Sequence, residues 1–166
     1  MANLTLFVLR HAKSSWDNPA ITDYERPLNS RGQKAAPRVG QFMREQMWIP
    51  DLIFSSTANR AKTTTELVVA AGDFAAEPVF DEQFYHAPAE TYLQQIASCD
   101  SGEKILVVGH NPGLERLVYE LTGDSVRMPT ACLVNIHAEV ASWPEFARQK
   151  HAEIGCVTLA RELELE

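Results

Sequence analysis

The 166-residue sequence has few cysteines and no pattern among them: Cys99, Cys132 and Cys156 are odd in number and show no CxxC spacing. That excludes a secreted disulfide scaffold and suits small apolar packing in a reducing cytoplasm. Long apolar runs are missing too. No stretch approaches the roughly 20 residues of a membrane span, and Met1 to Asn3 lead straight into a short apolar run ending at Arg10. A signal peptide and a membrane association are therefore not expected. Internal repeats, low-complexity tracts and Gly/Ser linkers are also absent, so a single domain over residues 1–166 is expected. Finally, there is no excess of basic charge: 15 Lys and Arg face 22 Asp and Glu, a net charge of −7. A general nucleic-acid partner, which needs a basic surface to displace counterions, is excluded.

What is present is enough for one core, since 45% of the residues are hydrophobic and a chain of this length buries roughly 70% of its unfolded surface. The charge is unevenly spread. Residues 1–62 hold 9 of the 15 basic side chains but only 5 of the 22 acidic ones, which suggests a local anion site in the N-terminal third.

Four apolar runs read as strands: Leu4–Leu9, Leu52–Phe54, Val79–Phe80 and Ile105–Val108. The first and last are continuous and branched, as in strands covered on both faces. Cys132–His137 and Ile154–Ala160 read as two more. Helical periodicity runs over Gly32–Trp48, Ala58–Ala71, Glu90–Ala97 and Pro112–Leu121. Asn29 and Ser30 offer capping oxygens to the first helix, which Pro37 should kink or delay. Pro112 suits a first helical turn. This alternation predicts an α/β three-layer sandwich, a mostly parallel central sheet flanked by helices.

Ligands in such folds bind beyond the carboxyl ends of the strands. There the sequence places Arg10-His11-Ala12-Lys13, then Ser55-Ser56-Thr57-Ala58-Asn59-Arg60, then Gly109-His110-Asn111-Pro112-Gly113. Two arginines and two histidines thus converge on one rim from distant positions. Arginine forks match phosphate oxygens, and histidine serves as nucleophile or proton carrier. Asn111 as a cap, with Pro112 opening a helix, would add backbone N–H donors. The set favours a phosphoryl dianion. It disfavours a divalent metal, which two arginines would repel and which would want carboxylates or thiolates; no cofactor is implied.

These segments resemble the signatures of the histidine phosphatase (phosphoglycerate mutase-like) superfamily. Leu9-Arg10-His11-Ala12 is similar to its RHG/RHA motif, Ser56 to Thr64 to its S-x-x-x-R-A-x-x-T segment, and Gly109-His110-Asn111-Pro112 to its second histidine. Arg26-Pro27-Leu28-Asn29-Ser30-Arg31-Gly32 is similar to the R-P-L-x-x-R-G stretch of SixA-like phosphohistidine phosphatases. The ordered resemblance spans about residues 4–125. It implies a phosphoglycerate mutase-like fold and a metal-independent phosphatase. His11 would become a phosphohistidine, and Arg10, Arg60 and His110 would bind the equatorial oxygens. Glu82, in Phe80–Ala87, is the candidate leaving-group acid, with a solvated strand-end carboxylate as the competing reading, and Ser14 either donates to a phosphate oxygen or caps the loop.

Other residues read more plainly. Arg26 either pairs with neighbouring acids, the favoured reading, or extends the basic mouth; His86 lies near the pocket segment but also suits a plain loop; His137 and His151 are expected to be structural or exposed. Trp16, Trp48 and Trp143 are expected as core or edge aromatics. Little chain is available to close over the pocket, so a protein-borne phosphohistidine is the expected partner. A small phosphomonoester or phosphoanhydride is the alternative substrate, and a weakly catalytic phosphate-binding module the alternative class. The acidic end, Glu162 to Glu166, is open between ordered and disordered readings.

Overall fold

The computed structural model describes residues 2–163; Glu164 to Glu166 of the acidic end lie outside them. β1 (Ala2–Arg10) leads to α1 (Ser30–Glu45), β2 (Leu52–Ser55), α2 (Asn59–Gly72) and β3 (Val79–Phe80). A 3-10 turn at Glu82–Phe84 precedes α3 (Ala89–Ala97), β4 (Lys104–Gly109) and α4 (Gly113–Thr122). β5 (Leu133–Val140), α5 (Trp143–Ala147), β6 (Glu153–Thr158) and a 3-10 turn at Ala160–Leu163 complete the order.

The six strands form one sheet in the order β3-β2-β4-β1-β5-β6. β5 alone runs against the rest: it is antiparallel to both β1 and β6, while β1, β4, β2 and β3 pair in parallel. The two-residue side-chain period of a strand divides the core into two layers. Leu4, Leu6 and Val8 of β1, with Ile105 and Val107 of β4, pack against α3, α4 and α5. Phe7 and Leu9, with Leu106 and Val108, pack against α1 and α2. A strand buried on both faces has to be apolar at every position, and Leu6–Leu9 is.

Several elements depart from the sequence reading. α1 begins at Ser30, capped by Asn29, whose Oδ1 accepts the Gly32 N–H at 2.9 Å. It passes through Pro37 without ending. Packing on α2 holds it: Gly40 lies so close to the Val68 carbonyl that a Cβ there would collide with it. Pro112 stands at the N-cap of α4 rather than in its first turn, and the Asn111–Pro112 peptide bond is cis. Asn111 does not cap α4; its Nδ2 donates to the Met128 carbonyl at 2.8 Å. α5 has no counterpart in the sequence reading, although Ser142 caps it by accepting from Glu145 N–H. Among the described residues no helix is long and apolar enough to cross a membrane, and all three cysteines are free thiols.

Candidate active site

The carboxyl ends of β1, β2 and β4 stand side by side, Arg10 paired with Gly109 and Ser55 with Val108. Just beyond them is a cavity of about 260 Å³ lined by Arg10, His11, Ser14, Arg60 and His110, with Lys13, Trp16, Arg26, His86, Asn111 and Thr130 around them. Of the residues expected at the site, Arg10, His11, Arg60, His110 and Ser14 are thus brought together. Glu82 is not. Its side chain is exposed on the 3-10 turn and does not line the cavity; the turn, capped by Asp81 accepting from Gln83 N–H, buries Phe84 and points Glu82 outward. The same segment sends His86 to the cavity wall instead.

His11 is 6% exposed. Its backbone N–H donates to Gly109 O at 3.1 Å, which fixes the chain just past β1. The ring Nδ1 lies 2.7 Å from the Ala12 carbonyl oxygen. A carbonyl only accepts, so Nδ1 carries the proton and Nε2 keeps its lone pair. Burial lowers the His11 pKa to about 4, helped by the guanidiniums of Arg60, Arg10 and Arg26 and opposed by the Ala12 bond. The ring is therefore neutral at pH 7. Ala12 N–H donates to Thr64 Oγ1, which donates to the Arg60 carbonyl at 2.6 Å. Through that hydroxyl the loop bearing His11 is tied to the helix bearing Arg60.

His110, 3% exposed, faces His11 with ring centroids 5.2 Å apart. Its Nε2 is 2.8 Å from Ser56 Oγ. Burial and the nearby His11, Arg60 and His86 lower its pKa to about 3. Behind it Tyr92 is buried, its phenol pushed up to about 12 by desolvation. Gly109 is needed here because a Cβ would strike the Tyr92 hydroxyl.

Arg10 donates from Nη1 to Met128 O at 3.1 Å. Arg60, 4% exposed, donates from Nη1 to the Asp23 carbonyl at 2.6 Å and from Nη2 to Asp23 Oδ2 at 3.0 Å. Arg10 Nε, Arg60 Nε and His110 Nδ1 are buried with no hydrogen-bond partner among the described residues. Native proteins rarely leave such groups unsatisfied. Asn111 Oδ1, on a residue of the same cavity wall, is likewise buried without a partner among the described residues.

Asp23 gathers this wall. Oδ1 accepts from Arg26 Nη2 at 3.0 Å and Nε at 3.2 Å, and Oδ2 from Tyr85 Oη at 2.6 Å; His86 Nε2 lies 3.6 Å from the same oxygen. Burial would raise the Asp23 pKa, but bonds from Tyr85, Arg26 and Arg60 hold it well below the usual carboxylate range. Arg26 also donates to Ser14 Oγ, which positions that hydroxyl on the cavity wall and leaves its O–H able to donate. The Arg26 guanidinium stacks 3.5 Å over the Trp16 ring, a close cation–π contact. Trp16 itself, 75% exposed, stands on the rim rather than in the core. Trp48 packs on Phe7, and Trp143 packs on Phe146 within α5.

Asp23 and Tyr85 do not stand out as site residues in the sequence, whereas Arg26 opens the R-P-L-x-x-R-G stretch and His86 lies in the segment Phe80–Ala87. His86 sits at a φ of 56°, a left-handed conformation uncommon outside glycine.

The sequence profile of the histidine phosphatase superfamily (branch 1) matches residues 6–87. An uncharacterised chloroplastic protein of Arabidopsis thaliana is 35% identical over 150 residues, covering 84% of this chain and 69% of its own. An uncharacterised Mycobacterium tuberculosis protein is 33% identical over 118 residues, covering 70% and 72%. The Agrobacterium tumefaciens structure assigned as the phosphohistidine phosphatase SixA superposes with a TM-score of 0.82 at 26% identity, over 96% of this chain and 99% of that one. A protein histidine phosphatase SixA complexed with tungstate shares the fold with a TM-score of 0.84 at 17% identity, covering 97% and 100%. With its motif residues assembled at one cavity, the chain belongs to the histidine phosphatase superfamily, and its fold is like that of the SixA phosphohistidine phosphatase structures.

Proposed function

We propose that the protein hydrolyses phosphohistidine on a partner protein, in a reducing cytoplasm, through a phosphorylated His11. One observation carries the reading: the Nδ1–H of His11 is spent on the Ala12 carbonyl, so Nε2 keeps a lone pair at a cavity shared with two guanidiniums and a second imidazole. The Nε2 lone pair attacks phosphorus as the bond from phosphorus to the departing imidazole nitrogen breaks. Arg10, Arg60 and His110 hold the equatorial oxygens, whose charge is what phosphoryl transfer most needs stabilised. Water then attacks phosphorus, the Nε2–P bond breaks with its electron pair returning to Nε2, the proton lost by the water passes to solvent, and inorganic phosphate leaves with His11 restored. The permanent charges of Arg10 and Arg60 supply the stabilisation, so no metal is required.

Size supports a protein substrate. Ligand pockets that enclose a whole small molecule run to about 300–1,000 Å³. The cavity of about 260 Å³ takes a phosphoryl group and the edge of its leaving group, and it adjoins an open cleft of about 820 Å³ with which it shares Arg10, Lys13 and Asn111, where the rest of a larger substrate can lie. Residues 14–30 form a rim, pinned by the Ser14–Leu28 bridge, and do not enclose a substrate.

The placement of His86 favours a second substrate class beside this one. Its ring is on the cavity wall with Asp23 beside Nε2, where it can give a proton to a departing alkoxide. Phosphomonoesters, which leave poorly without an acid, are then turned over more slowly than phosphohistidine. Steady-state assays of a phosphohistidine peptide, a serine phosphate peptide and a sugar phosphate test the order. The expected result is the highest kcat/KM on phosphohistidine; equal or lower turnover than on either ester refutes it.

A further inference from the structure

Tryptophan is buried in large part on average, whereas Trp16 is 75% exposed. The chemistry described so far gives it no task, yet it lines the reaction cavity with His11, Arg60 and His110. Its place on the rim is held by the backbone around it. The Ser15 N–H donates to the Pro27 carbonyl at 2.8 Å, and the Asp17 N–H donates to Ser15 Oγ at 3.1 Å, so the chain is tied on both sides of Trp16. The Ser14–Leu28 bridge joins the same segment to the stretch that carries Arg26.

Arg26 fixes the ring itself. Its guanidinium lies 3.5 Å from the indole centroid and covers one face, an attraction between cation and π-system. The guanidinium is in turn anchored: Asp23 Oδ1 accepts from Nε at 3.2 Å and from Nη2 at 3.0 Å, and Nη1 donates to Ser14 Oγ. Arg26 is buried beneath an indole that is mostly exposed, so the other face of the ring is open. Asp23 also links this wall to His86, whose Nε2 lies 3.6 Å from Oδ2. Trp16, Arg26, Asp23 and His86 thus form one continuous side of the site, and the phosphatase reading puts the departing group there, beside His86.

We propose that Trp16 is a specificity-determining residue whose open face stacks on the planar ring of the leaving group, the imidazole of a phosphohistidine. It thereby favours phosphoryl groups borne on a flat ring over those borne on an alkyl chain or on ammonia. The proposal rests on the phosphatase reading for its purpose, but ring binding is measurable apart from turnover. Offset stacking of two π-systems adds to the contact beyond the area it buries. Because Arg26 already holds the indole in place, little side-chain freedom is lost when a ring settles on it.

The test uses the full chain, its Trp16→Ala and Trp16→Phe variants, and two small substrates. Phosphoimidazole and phosphoramidate both present a P–N bond for cleavage, but only the first releases a ring. Trp16→Ala should lower the ratio of their kcat/KM values about fivefold or more, and Trp16→Phe should restore most of it. A disturbance passed through Arg26 to the phosphoryl site would affect both substrates alike and leave the ratio unchanged. An unchanged ratio in Trp16→Ala, or no recovery with phenylalanine, overturns the proposal. Phosphonates, whose C–P bond this reaction does not cleave, read binding alone. In titration calorimetry phenylphosphonate should bind wild type more tightly than methylphosphonate, and Trp16→Ala should remove most of the difference. Cyclohexylphosphonate binding as tightly as phenylphosphonate would overturn stacking in favour of plain apolar contact. If the phosphonates behave as expected and neither substrate is hydrolysed, the ring subsite stands and the phosphatase reading alone fails.

Discussion

Replacing His11 with Asn should make the protein less sensitive to acid while abolishing turnover. His11 is buried and neutral, its pKa lowered from 6.5 to about 4 by desolvation and three guanidiniums. The unfolded chain, with an ordinary imidazole, binds the proton first as pH falls. Below about pH 6.5 the unfolded state therefore gains relative to the folded one, and the loss continues until the folded ring protonates near pH 4. Integrated from pH 7 to pH 4.5, that difference in proton uptake costs the wild type about 2 kcal/mol of stability. Asn does not titrate, and its amide can still donate to the Ala12 carbonyl that Nδ1 now serves. Urea unfolding of wild type and His11→Asn at both pH values measures the effect, and titration common to both proteins cancels in the comparison. The drop in unfolding free energy should be smaller for the variant by about 2 kcal/mol. Equal drops would mean that His11 is not held neutral by its surroundings, and the argument for its nucleophilic lone pair would fail.

His86→Asn should lower kcat on a serine phosphate peptide by about 100-fold, with little change on phosphohistidine; Glu82→Gln should alter neither, and a common loss on both substrates would contradict a leaving-group role for His86. Gly109→Ala drives a methyl group into the Tyr92 hydroxyl and should cost about 1–3 kcal/mol in urea unfolding, an unchanged midpoint being the contrary result. Exhaustive treatment with EDTA should leave turnover at its initial rate, because Arg10 and Arg60 supply the positive charge; loss restored by a divalent cation would contradict this.

The sequence disclosed the centre of the site better than its walls. Arg10, His11, Arg60 and His110 were legible because each follows a strand or opens a helix in a fold whose strand ends share one rim. That inference needs the α/β alternation but not the strand order. The continuous apolar run Leu6–Leu9 also announced a strand covered on both faces. Asp23 and Tyr85 were hidden because their roles exist only in three dimensions: 62 residues of sequence separate them, and the bond between them closes the wall. Arg26 did pair with an acid as its neighbours implied, yet the same contacts carry it to the cavity beside Trp16.

Glu82 and His86 show the limit of reading by segment. Both belong to a stretch whose place over the pocket is correct, but the 3-10 turn at Glu82–Phe84 decides which side chain faces inward, and Phe84 takes the core position. Similarly, five-residue α5 is too short for a helical period to stand out.

The central claim is that His11 receives the phosphoryl group. Rapid quenching during turnover of a radiolabelled phosphohistidine peptide tests it most directly. An acid-labile, alkali-stable label on the peptide fragment containing His11, absent from His11→Asn, is the expected result. Label on another residue, or full turnover by His11→Asn, would contradict it.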